Sequence, residues 1–108
     1  MTHEKLILEA KKARASSRSP YSKFAVGAAL LCKDGTVFYG ANIENASYPL
    51  SMCAERVAMF EATMHGKDKK DFVAMAIIAD APRPVSPCGA CRQVMSELLD
   101  PSTPIIMA

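Results

Sequence analysis

The chain lacks the features that would place it in a membrane, outside the cell or on a nucleic acid. No apolar run among its 108 residues approaches the roughly 20 that a bilayer-spanning helix needs. Residues 1–5 contain no basic stretch leading into an apolar one, so no export signal is predicted and we expect a soluble, cytoplasmic protein. Charge of one sign is not in excess either, with 13 basic and 11 acidic residues. This balance gives no basic footprint for a nucleic acid.

Disulfides are not expected, because a reducing compartment keeps thiols free. The four cysteines are Cys32, Cys53, Cys88 and Cys91, and in such a compartment they indicate metal binding, catalysis or plain burial. Cys32 ends an apolar stretch and is interpreted as a buried thiol without a role in chemistry. Cys88 and Cys91 form a Cys-x-x-Cys pair.

The hydrophobic pattern predicts one α/β domain over residues 1–108. Half of the residues are hydrophobic, which supports a compact core. Strands alternate with helices in the order α-β-β-α-β-α-β, which is typical of an α/β sandwich around a mixed sheet. The predicted helices cover residues 2–16 and 52–65, with Thr2 and Ser51 as N-caps, and a third helix opens at Ser86 and Pro87 and ends at Asp100. The predicted strands cover residues 24–32, 36–42, 72–79 and 104–108.

Three of the cysteines fall at the starts of predicted helices. Cys53 lies in the first turn of the second helix, and Cys88 and Cys91 lie in the first turn of the third. The partial positive charge and free N–H groups of a helix start favour the thiolate, the form that binds metal. Three protein ligands leave the fourth tetrahedral position for water, as in catalytic zinc sites.

Glu55 follows Cys53 by two residues and makes the pattern more specific. A carboxylate at this spacing can exchange protons between a water and a substrate nitrogen. The segments Cys53-Ala54-Glu55 and Pro87-Cys88-Gly89-Ala90-Cys91 match the motif of zinc-dependent deaminases, with cysteine as the first ligand.

Charge arithmetic predicts a cation beside this centre. Three thiolates and one Zn²⁺ sum to −1, and an anionic centre acidifies its water less than a neutral one. Arg56 lies one helical turn after Cys53, and Arg92 directly follows Cys91. We expect one or both to donate hydrogen bonds to the cysteine sulfurs.

The sequence resembles the small, three-cysteine nucleoside cytidine deaminases. The resemblance is carried, in order, by residues 19–30 (SPYSKFAVGAAL), 42–48 (NIENASY), 53–56 (CAER) and 86–93 (SPCGACRQ). It implies a three-layer α-β-α sandwich, one Zn²⁺ per subunit and a homotetramer. The implied reaction is hydrolytic deamination of cytidine and 2′-deoxycytidine to uridine and 2′-deoxyuridine, with release of ammonia, in pyrimidine salvage.

The resemblance also implies a role for individual residues. Glu55 is the catalytic proton carrier, and Cys53, Cys88 and Cys91 are the zinc ligands. Asn42 and Glu44 match the positions that hold the ribose hydroxyls. The remaining substrate-binding positions are Phe24 beside the pyrimidine, Ala54 with its backbone on the base, and Ala46 and Tyr48 in a ligand-contacting loop.

Three alternatives stay open at the level of sequence. The chain could deaminate a modified or antibiotic nucleoside. It could be a thiol redox protein that uses Cys88 and Cys91, although this leaves Cys53 and Glu55 without a role. It could be a structural zinc module with Cys32 as fourth ligand. Against the family, the chain is also expected to lack a C-terminal strand and helix.

Overall fold

The computed structural model describes residues 1–21, 23–46, 52–79 and 89–108, and for residues 89–92 it describes the backbone alone. These parts of the chain form three α-helices and four strands in the predicted order. Their bounds are α1 His3–Arg14, β1 Val26–Cys32, β2 Val37–Ala41, α2 Ala54–Met64, β3 Phe72–Ala79, α3 Gly89–Leu98 and β4 Ile105–Met107, with a 3₁₀ turn over Lys69–Asp71.

The strands form one mixed sheet in the order β2-β1-β3-β4. The inner strand β1 is antiparallel to both neighbours, with Gly27 opposite Ala41 and Val26 opposite Ala79, whereas the other inner strand, β3, is parallel to β4. Since β2 and β3 both oppose β1, they run in the same direction. Their carboxyl ends therefore lie at the same edge of the sheet.

Helices cover both faces of the sheet. Successive side chains of a strand point to opposite faces, and the residues of β1 and β3 divide accordingly between two buried clusters. The α1 cluster contains Leu6, Ala10, Ala29, Leu31, Ala74 and Ala76. The α2–α3 cluster contains Ala28, Leu30, Ala58, Met59, Met75, Ile77 and Leu99, with Val94, Met95 and Leu98 packed against it. The predicted three-layer α-β-α sandwich is confirmed.

Two glycines allow the helices to approach the sheet closely. A Cβ atom on Gly40 would lie 2.1 Å from the Ala54 carbonyl oxygen, and one on Gly27 would lie 2.1 Å from the Ala10 carbonyl oxygen. Real Cβ atoms do not come this close to a backbone oxygen. The absence of a side chain at Gly40 therefore lets the first turn of α2 rest directly on β2.

The start of α1 matches the prediction, and the start of α2 does not. Thr2 caps α1, its Oγ1 accepting a hydrogen bond from the Lys5 N–H at 3.2 Å. The prediction that α2 begins at Met52 is wrong. Met52 instead exchanges two backbone hydrogen bonds with Ile43, of 2.7 and 2.9 Å, and an extended residue held this way cannot open a helix. The helix begins at Ala54 with Cys53 at the N-cap position.

The third strand has its predicted bounds, and the other three are shorter than predicted. The first starts at Val26 and not at residue 24, because the Val26 N–H donates to the side chain of Asn42 and not to another strand. The second and fourth strands each lose one residue at both ends. The proposed N-caps Ser51 and Ser86, and Pro87 at the proposed first position of the third helix, lie outside the described residues. In the described ranges, no helix is both long enough and apolar enough to cross a bilayer.

Candidate active site

The candidate catalytic residues lie at the start of α2. Cys53 occupies the N-cap position and is partly buried, and its carbonyl accepts the Val57 N–H at 3.1 Å. Glu55, in the first helical turn, is only 5% exposed, and Ala54 between them is fully buried. An acidic side chain in a first turn is stabilised by the positive end of the helix dipole. The contact of this turn with Gly40 fixes the thiol and the carboxylate relative to the sheet.

A guanidinium group contacts the Cys53 sulfur. Arg56 Nη2 donates to Cys53 Sγ at 3.6 Å, and Arg56 is partly buried. This is the contact that charge arithmetic led us to expect for Arg56. A cationic donor interacts more strongly with a thiolate than with a neutral thiol. The arrangement therefore suits a metal-ligating sulfur.

The sheet topology brings the start of α3 to the same edge. α3 follows β3 and leads into β4, which is parallel to β3, so α3 must run back from the carboxyl end of β3. Cys91 lies in the first turn of α3 as described. The side chains of Cys91 and Arg92, and the whole of Cys88, are outside the described parts of the chain.

The donor chemistry at the start of α2 fits zinc. Thiolate is a preferred zinc ligand, and the Cys53 sulfur is already contacted by a cation. Among the side chains that the structure describes, no three His, Cys, Asp or Glu residues form a group that could hold a metal ion. Two members of the proposed cysteine trio, Cys88 and Cys91, are not among those side chains.

Cys32 does not fit the zinc site. It is buried in the core, four residues along β1 from Ala28, and Ala28 pairs with the Gly40 against which α2 rests. At about 3.3 Å per residue, this separation is about 13 Å. Thiolates that share a zinc ion each lie only about 2.3 Å from it. The geometry therefore rejects the alternative in which Cys32 is the fourth ligand.

Asn42 joins three segments of chain near this edge. It follows β2 and is 9% exposed. Its Oδ1 accepts hydrogen bonds from the Val26 N–H at 2.9 Å and from the Ser17 hydroxyl, and its Nδ2 donates to the Phe24 carbonyl at 2.8 Å. These contacts assign the two ends of the carboxamide, since a backbone N–H needs an acceptor and a carbonyl needs a donor.

Glu44 is held by the segment that follows α1. Its backbone exchanges hydrogen bonds with Arg18, whose carbonyl accepts the Glu44 N–H at 2.8 Å and whose guanidinium donates to the Glu44 carbonyl at 3.0 Å. The Glu44 carboxylate accepts the Tyr21 N–H at 3.0 Å. Asn42 and Glu44 thus lie on one extended segment on either side of Ile43, whose pairing with Met52 leads directly to Cys53.

The other sequence-predicted substrate residues are only partly described. Phe24 is partly buried, and its carbonyl is tied to Asn42. Ala46 is exposed at the end of the described segment, and Tyr48 lies outside it. Ser17, Arg18 and Tyr21 were not predicted as site residues. Ser17 and Arg18 precede Pro20, and Tyr21 follows it within the segment 19–30 that carries the resemblance. Their contacts with Asn42 and Glu44 span more than 20 residues, so no local pattern indicates them.

Comparison with known proteins indicates one family for this chain. The family model for the cytidine and deoxycytidylate deaminase zinc-binding region matches residues 1–107. Cytidine deaminases from Sporosarcina psychrophila and Halalkalibacterium halodurans are 53% and 56% identical over 107 residues, which is 99% of this chain and 77% and 80% of theirs.

Solved structures of cytidine deaminases have the same fold as this chain. A cytidine deaminase from Burkholderia pseudomallei superposes with a TM-score of 0.96 at 50% identity, covering all of this chain and 85% of the other. One from Mycobacterium tuberculosis gives 0.87 at 37% identity, covering 97% of this chain and 84% of the other. With its fold, its helix-start cysteine and carboxylate, and these matches, the chain belongs to the family of zinc-binding cytidine and deoxycytidylate deaminases.

Proposed function

We propose that this protein hydrolyses the exocyclic amino group of cytidine and 2′-deoxycytidine, giving uridine or 2′-deoxyuridine and ammonia. One observation carries the proposal: the buried Glu55 carboxylate stands beside a cysteine whose sulfur accepts a hydrogen bond from Arg56. The named relatives are cytidine deaminases, and a cytidine deaminase of solved structure has the same fold as this chain.

Cys53, Cys88 and Cys91 are the residues that would hold zinc. When bound there, the metal supplies a Lewis acid that lowers the pKa of a water molecule. Arg56, and Arg92 directly after Cys91, would offset the negative charge of three thiolates. A reducing cytoplasm keeps such thiols available, and we place the protein there.

Glu55 moves the protons of the reaction. Its carboxylate accepts a proton from the attacking water and delivers it to ring N3 as oxygen adds to C4. It then transfers the second water proton to the amino group, the C4–N bond breaks and ammonia leaves. The water thus contributes the new carbonyl oxygen, and Glu55 ends as it began. Burial keeps the carboxylate apart from bulk water during these transfers.

In this proposal the sugar and base of the substrate bind beside Glu55. Asn42 and Glu44 bind the sugar hydroxyls, and Phe24 packs against the pyrimidine. The backbone of Ala54 contacts the base. Ala46 and Tyr48 contact the ligand from their loop.

We further propose that residues 1–108 act as a single catalytic domain that assembles as a homotetramer. The family resemblance supports the assembly. On α2, Met64 is 86% exposed and Phe60 is 39% exposed, which leaves apolar surface for a second copy to cover. Sedimentation at several protein concentrations would measure the assembly, and a species of one-subunit mass throughout would refute it.

The test joins zinc analysis to a cytidine assay. We expect one zinc per chain and loss of the cytidine absorbance band when protein is added. Glu55→Gln has nearly the same shape without the proton-carrying charge, so it should retain zinc and lose turnover. Full activity of that variant would refute the mechanism. Turnover of a modified nucleoside but not cytidine, or insulin-disulfide reduction without bound zinc, would instead favour one of the alternatives.

A further inference from the structure

Ser17 makes a contact with Asn42 that the family motifs do not include. It lies just after α1, where its N–H donates to the Arg14 carbonyl at 3.0 Å, and it is partly buried. Its hydroxyl donates to Asn42 Oδ1 and lies 3.1 Å from the hydroxyl of Ser19. Residues far apart in sequence thus meet at a side chain that the proposed function assigns to the sugar.

The number of available protons fixes the donor and the acceptor in each hydrogen bond among Ser19, Ser17 and Asn42. A carbonyl oxygen carries no hydrogen, so Ser17 must donate to Asn42. A hydroxyl has one proton, so the hydrogen bond between the two serines must use the proton of Ser19. The hydrogen bonds therefore run from Ser19 to Ser17 to Asn42.

Counting the lone pairs and N–H groups of the Asn42 carboxamide shows which of them are left for a ligand. A side-chain amide has two lone pairs on oxygen and two N–H groups. The oxygen accepts from Val26 and Ser17, and one N–H is directed to the Phe24 carbonyl. The hydrogen bonds found for Asn42 thus fill its acceptor side and leave one N–H.

We propose that Ser17 is a positioning residue that fills the acceptor side of the Asn42 carboxamide, so that Asn42 meets the substrate sugar only as a hydrogen-bond donor. The inference rests on the proposed sugar-binding role of Asn42. Glu44, an ionised carboxylate, only accepts. A sugar hydroxyl can accept a hydrogen bond from Asn42 and donate one to Glu44. A sugar without hydroxyls at these positions can do neither.

The experiment compares Ser17→Ala with wild type on two substrates, cytidine and 2′,3′-dideoxycytidine. The second lacks the 2′ and 3′ hydroxyls of the sugar. Loss of one neutral hydrogen bond should raise KM for cytidine about three- to tenfold and leave kcat nearly unchanged. KM for dideoxycytidine should not change. Ser17→Thr keeps a hydroxyl and should restore KM for cytidine. Ser19→Ala is the matched control, since it removes a neighbouring hydroxyl but leaves the proton that Ser17 gives to Asn42.

Thermal unfolding of the variants is measured alongside, to establish that each is folded at the assay temperature. Unchanged KM for cytidine in Ser17→Ala would overturn the inference. So would an equal rise in KM for both substrates, which indicates a purely structural role, or a Ser19→Ala effect as large as that of Ser17→Ala. Wild-type protein that does not deaminate cytidine would overturn the proposed function and this inference together, whereas an active wild type with an unaffected Ser17→Ala would overturn the inference alone.

Discussion

The guanidinium of Arg56 lies 3.6 Å from the sulfur of Cys53, one helical turn earlier in the chain. The helix thus carries a proposed metal ligand and its neutralising cation on one face. Cys53 is the N-cap of the helix Ala54–Met64, so the start of α2 sets the backbone spacing between the two residues.

Arg56→Ala should weaken zinc binding. The substitution removes a hydrogen bond to a ligating sulfur and a positive charge beside an anionic centre, and losses of this kind typically cost about 10- to 100-fold in metal affinity. Competition against a chromophoric chelator would measure the affinity. Arg56→Lys keeps the charge without the planar donor group, and its zinc affinity should lie between those of the wild type and Arg56→Ala. Equal affinity in all three proteins would contradict the prediction.

Gly40→Ala should damage stability and catalysis together. The new methyl would lie 2.1 Å from the Ala54 carbonyl oxygen and 2.6 Å from the Ala58 nitrogen, so α2 must move away from the sheet. Overpacking of this kind costs on the order of 1–3 kcal/mol, and the movement displaces Cys53 and Glu55. Denaturant unfolding and kcat are the measurements.

Gly35→Ala is the control for that substitution. Gly35 has φ +89° with no atom near its missing Cβ, so alanine there strains the β1–β2 turn by about 1 kcal/mol. The loss of stability should leave kcat and zinc content unchanged. If the two variants reduce kcat equally, the close approach of Gly40 to α2 has no special effect on the site.

Cys32→Ala should leave zinc stoichiometry at the wild-type value. The side chain is 2% exposed, and burial raises the pKa of its thiol, with smaller effects from Lys67, Asp34 and Asp71. A neutral, inaccessible thiol neither ligates metal nor reacts with iodoacetamide. Mass spectrometry after alkylation should find Cys32 unmodified in the folded protein and modified after unfolding. Loss of zinc in the variant would restore Cys32 as a ligand candidate.

Asp34→Asn should reduce stability at neutral pH and have no such effect in acid. Lys67 Nζ lies 2.6 Å from Asp34 Oδ2, and this hydrogen bond holds the pKa of Asp34 well below its usual range and raises that of Lys67. The unfolded carboxylate takes up its proton near pH 3.9, before the folded one does. The stabilisation is therefore complete well above that pH and is lost as pH falls through the folded pKa.

The pair is solvent-exposed, so the difference in melting temperature should be small. Asparagine retains the Oδ1 acceptor for the Thr36 N–H, which isolates the effect of charge. Melting curves of wild type and variant from pH 7 downwards should converge in acid. A difference that stays constant over this range would show that charge is not its source.

The order of elements could be predicted because each has a strong local signal. Thr2 caps α1, and the apolar run before Asp34 forms β1. The start of α2 could not be predicted in the same way. The Ile43–Met52 pairing joins residues that are not neighbours in sequence, and no local preference of Met52 indicates that its backbone is used there.

Part of the candidate site could likewise be predicted from the sequence, and part could not. Cys53, Glu55 and Arg56 follow from spacing within one helix, so sequence alone was sufficient to group them. The Ser17–Asn42 contact depends on how the end of α1 packs against the segment that follows β2. Such a contact arises from tertiary packing, and the sequence contains no periodic signal for it.

The inner position of β1 also bears on how the chain folds. Its pairing with β2 closes a short turn, whereas its pairing with β3 joins segments separated by the whole of α2. Local contacts form with little loss of chain entropy and distant ones with more. We therefore expect α1, β1 and β2 to assemble before β3 and α3 dock, so that a metal held between α2 and α3 would bind after docking and slow the separation of the two halves.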